Sequence, residues 1–185
     1  MASPVHSATR GWSLFDTAIG PCALAWSDHA ITGAQLPGAS AGATRLRMRQ
    51  RFPATDEAVP PPHAAAVIAD IQALLRGEPR DLSAAPLDFS GVPDFHQRVY
   101  RAALAIPPGR TLTYGAIALQ LGEPGSARAV GQALGANPFA PIVPCHRVLA
   151  AGGRQGGFSA HGGAATKLKM LAIEGARPDD EPSLF

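Results

Sequence analysis

The chain has 185 residues, 46% hydrophobic and 16% charged, with a formal net charge of +2 and two cysteines. Such length and apolar content suit one ordinary domain or two small ones with a real core, and exclude a disordered chain. Two cysteines without CxxC spacing exclude a disulfide framework, and no stretch has the length of a membrane span.

From the N-terminus, Met1–Arg10 lacks the apolar centre of a secretory signal, so a cytoplasmic location and no membrane partner are expected. Leu14–Ile19, Cys22–Ser27 and Ile31–Leu36 read as short strands, punctuated by Gly20-Pro21 and Ser27-Asp28-His29 in a hairpin-like pattern. Pro37–Thr44 is small and Gly-rich and reads as a loop. Arg45–Phe52, where Arg alternates with Leu, Met or Gln, reads as a strand. Pro60-Pro-Pro opens a helix over His63–Arg76, in which Val67, Ile68, Ile71, Leu74 and Leu75 recur at helical spacing before Gly77. Asp81–Pro93 mixes Pro, Ser and Gly with alternating apolar residues. It reads as a linker with a short extended piece, and the chain divides near residue 93.

In the second half, Phe95–Ala105 carries Phe95, Val99, Ala102 and Ala103 on one face and ends at Ile106-Pro-Pro-Gly109. Thr113 is placed to cap Tyr114–Leu121, which Gly122 closes, and Ser126 to cap Ala127–Leu134. Two short helices across a tight turn form a helix-turn-helix pattern. In the second of them Ala127, Ala129, Gly131 and Ala133 are small and Arg128 is the only charge. Two readings stay open: close packing against a neighbouring helix, or a surface that approaches DNA through the minor groove with Arg128 projecting. A final helix is expected at Ala164–Ile173. Residues 1–94 carry a net −2, residues 95–178 +7 and residues 179–185 −3. The basic second half suits a polyanionic partner.

The expected class is therefore α+β (mixed α/β). Residues 1–93 form a small antiparallel sheet plus helix with a structural role. Residues 94–185 are mainly helical, with the helix-turn-helix and an acidic tail.

The chemistry concentrates at Cys145, in Pro141-Ile-Val-Pro-Cys145-His146-Arg147-Val148. It precedes a histidine able to take a thiol proton and an arginine whose charge favours a thiolate. Pro141 and Pro144 stiffen the approach. A nucleophile is one reading, and a small apolar residue at a strand end is the other. Cys22, His6, His29 and His63 supply one thiol and no paired-ligand spacing, so no metal is expected and Cys22 reads as a buried strand residue.

The ordered set Thr113-Tyr114-Gly115, Arg128-Ala-Val-Gly131, Asn137-Pro138, Pro144-Cys-His-Arg-Val148, Phe158-Ser159 and Glu174-Gly175 resembles the O6-alkylguanine-DNA alkyltransferases, also called methylated-DNA–protein-cysteine methyltransferases. The resemblance covers most of residues 90–176; the first half matches only loosely, through its hairpin, helix and Pro86-Leu-Asp-Phe89. It implies direct repair of double-stranded DNA bearing O6-alkylguanine, and of O4-alkylthymine as a further substrate, by a monomer without a cofactor. A base that takes part in chemistry has to leave the stack. The resemblance makes Arg128 the residue that fills the vacated space, on a minor-groove surface with Ala127, Ala129 and Gly131. Tyr114 helps rotate the phosphate and protonates the departing guanine. Cys145 accepts the alkyl group irreversibly, in a relay Glu174–His146–water–Cys145. Val148, Phe158 and Ser159 hold the flipped base, Asn137 is a structural hinge, and Arg147 is an ion-pair residue.

Two features depart from the family pattern. Phe158 stands where Tyr is frequent, and Ala160-His161 lengthen the loop before Gly162-Gly163. His161 reads as a solvated loop residue. The alternatives of other classes are a non-catalytic damaged-DNA-binding or regulatory module, and a cysteine hydrolase using Cys145, His146 and Glu174.

Overall fold

The computed structural model describes residues 8–154 and 156–176. Its first half holds an antiparallel sheet in the order β1 (Gly11–Thr17), β2 (Gly20–Trp26), β3 (Ile31–Gln35). The central strand is buried throughout Cys22–Trp26 because both of its faces are covered. Cys22, Leu24 and Trp26 join the main core with Val67 and Ile71, while Ala23 and Ala25 pack with Trp12 and Met48.

Met48 belongs to a helix, α1 (Ala41–Arg51), which replaces the strand expected at Arg45–Phe52 and the end of the expected loop. Ser40 caps it by accepting from Ala43 N at 3.1 Å. The alternating arginines imitate a strand period, but the residues α1 buries, Thr44 and Met48, lie one helical turn apart. Helix α2 (Pro62–Leu75) covers the other sheet face with the apolar residues its periodicity required. The extended piece of the linker lies along β3: Ile31 N donates to Pro86 O at 2.7 Å and Asp88 N to Ile31 O at 2.9 Å.

Three packed helices, α3 (Asp94–Leu104), α4 (Tyr114–Gln120) and α5 (Ala127–Gly135), begin the second half. Thr113 caps α4, accepting from Ala116 N at 3.0 Å, whereas the Ser126 side chain makes no capping bond to α5. Arg98 of α3 pins the turn between α4 and α5 through Leu121 O at 2.7 Å and Glu123 at 2.6 Å. α5 buries Val130, Ala133 and Leu134. Ala133 is small enough for Tyr100 to reach across, its hydroxyl donating to Ala133 O at 2.8 Å.

Two strands of two residues each, unforeseen from sequence, pair in parallel: β4 (Leu112–Thr113) with β5 (Val148–Leu149). They bring the start of α4 beside the segment that follows Cys145. Helix α6 (Ala164–Ile173) has the expected bounds. Sheet and second half share one core, and Pro138 O accepts both Ala34 N at 2.9 Å and Arg51 Nη2 at 3.1 Å. Among the described residues no helix is long and apolar enough to cross a membrane.

Replacing Tyr100 by Phe should lower stability by about 1 kcal/mol, the net value of one buried hydrogen bond. The measurement is the urea midpoint, which should fall while the slope stays constant.

Candidate active site

Asn137, just past α5, organises the loop that carries Cys145. Its Nδ2 donates to Val143 O at 2.9 Å and its Oδ1 accepts from Phe139 N at 2.9 Å. Phe139, Ile142 and Val143 are buried beneath that loop. Pro144, at φ −83° and ψ 67°, forms an inverse γ-turn in which Cys145 N donates to Val143 O at 2.9 Å. Cys145 then opens a single 3-10 turn, Cys145–Arg147, rather than closing a strand.

Behind the thiol lies a buried charge network. Arg147 donates to Glu174 through Nε at 2.9 Å and Nη2 at 2.8 Å, and to Ile106 O through Nη1 at 2.6 Å. His146 Nε2 lies 2.7 Å from Glu174 Oε1. Burial alone would raise the Glu174 pKa, but hydrogen bonds from His146 and Arg147 and their charges overcome it and bring it to about 2. Glu174 is therefore a carboxylate that only accepts, so the shared hydrogen sits on His146 Nε2. Burial also lowers the His146 pKa, against the pull of Glu174. The ring is neutral, and its Nδ1 keeps a lone pair; that atom is buried without a hydrogen-bond partner among the described residues. A neutral imidazole held in this tautomer can take a proton from a neighbouring thiol.

Burial pushes the Cys145 thiol above its ordinary pKa, while Asn137, the charge of Lys167 and the backbone N–H groups of Cys145 and His146 pull it down. The cation acting on the sulfur is Lys167 and not Arg147, whose guanidinium faces Glu174. Lys167 is fully buried, donates from Nζ to Val148 O at 2.7 Å, and lies 5.9 Å from the Tyr114 ring centroid and 5.8 Å from that of Phe158. Burial lowers its own pKa to about 8. Sequence reading missed this lysine, though a signal existed: Lys167, Met170, Leu171 and Glu174 follow one another at helical spacing on α6.

Two adjoining cavities share Gly135, Phe158 and Ser159. One, of about 300 Å3, reaches Cys145 and is lined also by Asn137, Ala140 and, from α1, Arg47 and Arg51. The other, of about 540 Å3, is lined by Tyr114, Arg128, Gly131 and Gln132. Arg128 is exposed; Ala127, Ala129 and Gly131 are half-buried beside it. The small residues of α5 thus divide between core packing, at Ala133, and this outward surface. Burial and the charge of the Cys145 thiolate raise the Tyr114 pKa, so its phenol stays protonated at neutral pH. A Cβ on Gly156 would lie 2.7 Å from the Tyr114 hydroxyl, so only glycine passes there. Val148 lines neither cavity; it is buried and its carbonyl is taken by Lys167. His161 is exposed and outside both cavities.

Cys22 is buried, its thiol pushed up to about 12 by burial. Among the described residues no group of three or more His, Cys, Asp or Glu is arranged to hold a metal; His6 lies outside them.

The family description "6-O-methylguanine DNA methyltransferase, DNA binding domain" matches residues 94–176. The methylated-DNA–protein-cysteine methyltransferase of Mycobacterium tuberculosis is 40% identical over 161 residues, spanning 85% of this chain and 95% of the relative. A crystal structure of the M. tuberculosis O6-methylguanine methyltransferase superposes with a TM-score of 0.70 at 35% identity, covering 95% of this chain and 98% of that one. The structure of M. tuberculosis OGT in complex with DNA gives a TM-score of 0.70 at 37% identity, covering 91% and 96%.

The carboxylate network sets a pH dependence. Because the folded-state pKa of Glu174 is depressed from 4.5 to about 2, its stabilisation is complete above pH 4.5 and is lost as pH falls toward 2. The loss should be on the order of 3 kcal/mol. Glu174→Gln should be less stable at pH 7 by about 3 kcal/mol, since buried Arg147 then lacks its counter-ion. That variant should also show a flatter decline below pH 4.5, read from urea midpoints across pH.

Proposed function

Since this chain belongs to the methylated-DNA–protein-cysteine methyltransferase family, we propose that it repairs O6-alkylguanine in double-stranded DNA by moving the alkyl group onto its own Cys145. The observation that carries this reading is the buried Glu174–His146 pair behind a thiol that opens on a cavity, beside a second cavity with Arg128 at its edge. O4-alkylthymine is a further substrate of the same site.

In this mechanism α5 enters the minor groove, with Ala127, Ala129 and Gly131 allowing close approach and Arg128 filling the space left by the rotated nucleotide. Phe158 and Ser159, which line both cavities, bound the flipped base. Val148 contributes through β5 and its carbonyl, which holds Lys167. His146 Nδ1 takes the thiol proton through water, and Lys167 and Asn137 stabilise the thiolate. The sulfur attacks the alkyl carbon in line, the C–O6 bond breaks with its electrons on guanine, and the protonated Tyr114 phenol supplies the proton guanine requires. The product is a thioether. It has no acyl carbon for water to attack, so the protein acts once and is consumed. Residues 1–93 serve as a scaffold for residues 94–185, and the protein works as a cytoplasmic monomer without a cofactor.

Incubation with duplex DNA containing O6-methylguanine should add a single methyl group per protein, at Cys145, by intact mass and peptide mapping. Repeated turnover, or a mark at another residue, rejects the mechanism. Cys145→Ser should abolish transfer and leave DNA affinity largely unchanged in a gel-shift titration.

Arg128→Ala should slow repair in duplex by about 100-fold, since the unfilled stack costs a few kcal/mol. Its reaction with a free modified base should stay near that of the unaltered protein. Equal losses on both substrates would remove Arg128 from base flipping.

A further inference from the structure

The carbonyl of Pro138 and the N–H of Phe139 belong to one planar peptide unit, and both of its ends are engaged. At the oxygen, Arg51 Nη2 of α1 donates at 3.1 Å and Ala34 N of β3 at 2.9 Å. At the other end, Phe139 N donates to Asn137 Oδ1 at 2.9 Å. The Asn137 amide then leads to the thiol. Its Nδ2 carries two hydrogens and donates to Val143 O at 2.9 Å, and the hydrogen bond of Asn137 to Cys145 favours the thiolate. Arg51 is half-buried and held in place, donating through Nη1 to Ala34 O at 2.7 Å and to Gln35 Oε1 at 3.2 Å. All of these acceptors are neutral, and among the described residues no carboxylate pairs with it. Burial and the charge of Arg47 lower the Arg51 pKa to about 10, so it remains a cation at neutral pH. The sheet leaves room for it: a Cβ on Gly33 would lie 2.8 Å from Arg51 Nη2.

We propose that Arg51 is a positioning residue for alkyl transfer, polarising the Pro138–Phe139 peptide and the Asn137 amide in series so that they favour the Cys145 thiolate. The proposal rests on the reading of Cys145 as the alkyl acceptor and adds to it a residue from the first half of the chain. A cation at a peptide oxygen draws electrons toward that oxygen and makes the N–H at the far end a stronger donor. The Asn137 amide repeats the step: its Oδ1 accepts from Phe139 N, and its Nδ2 becomes the stronger donor toward the sulfur. Hydrogen bonds in a chain strengthen one another by about 10–30% per bond. The relay also fixes geometry, because a peptide plane bonded at both ends resists rotation. Arg51 is not among the groups that act on the sulfur directly. Those are Asn137, Lys167 and the backbone N–H groups of Cys145 and His146, while Tyr100 and Tyr114 feel the thiolate charge. A lysine at position 51 would keep the charge but lack the fork that spans three acceptors. A direct effect of the Arg51 charge across the cavity it shares with Cys145 is the competing role.

The test uses the full chain and two readouts. Alkylation of Cys145 by iodoacetamide, located by peptide mapping, gives the pH profile of the thiol. Single-turnover transfer from a duplex carrying O6-methylguanine gives the repair rate. Arg51→Met and Arg51→Lys should both raise the midpoint of the thiol profile by about 0.5–1 pH unit, a roughly three- to tenfold loss of thiolate below it. Methyl transfer at neutral pH should slow by a similar factor. Combined with Asn137→Ala, Arg51→Lys should raise the midpoint no further, because the two act along one path. An additive rise would send the effect by another route and overturn the relay. A normal midpoint in Arg51→Lys beside a raised one in Arg51→Met would reduce Arg51 to a charge acting through space. Unchanged midpoints in both, with only the urea midpoint lowered, would make it a structural residue. Either result overturns the proposal. Should the unaltered protein transfer no methyl while its thiol profile still responds to Arg51, the alkyl-acceptor reading falls and the relay to the thiol stands.

Discussion

The carboxylate of Glu174 is the group on which the site depends. It follows the last turn of α6, where the helix dipole disfavours negative charge. It is stable there because Arg147 and His146 converge on it from the 3-10 turn at Cys145. One buried anion thereby sets the tautomer of the imidazole, anchors the turn that presents the thiol, and, through Arg147 and Ile106 O, ties that turn to the end of α3. The approach is close on the backbone side as well: a Cβ on Gly109, at φ 82°, would lie 3.0 Å from Glu174 O. Breaking such a network at one member leaves the others buried and uncompensated, which is why its parts act as a unit.

The thiol itself is placed between opposing demands. Burial raises its pKa and so protects it from casual reaction, while Lys167, Asn137 and two backbone N–H groups favour the thiolate. Neutral His146 can remove the proton only because Glu174 holds its other nitrogen. The same lysine lies near the rings of both Tyr114 and Phe158 and bonds Val148 O, so it ties α6 to residues that line the cavities and to β5.

Much of this was legible in the chain because the signals are local. Helical spacing marked α2 and α6, Thr113 marked the start of α4, and the short motifs around Cys145 and Glu174 marked the site. What escaped depends on contacts between distant segments. The arginines of α1 alternate like a strand, and only the burial of Thr44 and Met48 against the sheet makes a helix of them. Strands β4 and β5 are two residues long and exist only as partners of each other. Arg147 stands two residues from Cys145, yet its charge is directed to Glu174, while Lys167, twenty-two positions beyond Cys145, supplies the cation at the sulfur. Neighbours in sequence need not be neighbours in function, because a 3-10 turn sends successive side chains to different sides.

The first half of the chain bears on the site through Pro138. That residue follows Asn137, whose side chain closes the loop before the thiol, and its carbonyl accepts from both Ala34 of β3 and Arg51 of α1. Two donors on one oxygen fix the backbone immediately after Asn137. The sheet therefore acts as an abutment: the geometry of Cys145 is defined by α6 behind it, α5 on one flank and the β3–α1 edge on the other. A helix that reaches into the site to brace it also brings its side chains within range of what the site binds. On physical grounds, α1 cannot be neutral toward the cavity it walls, since two of its four arginines, Arg47 and Arg51, line a space with no compensating acid.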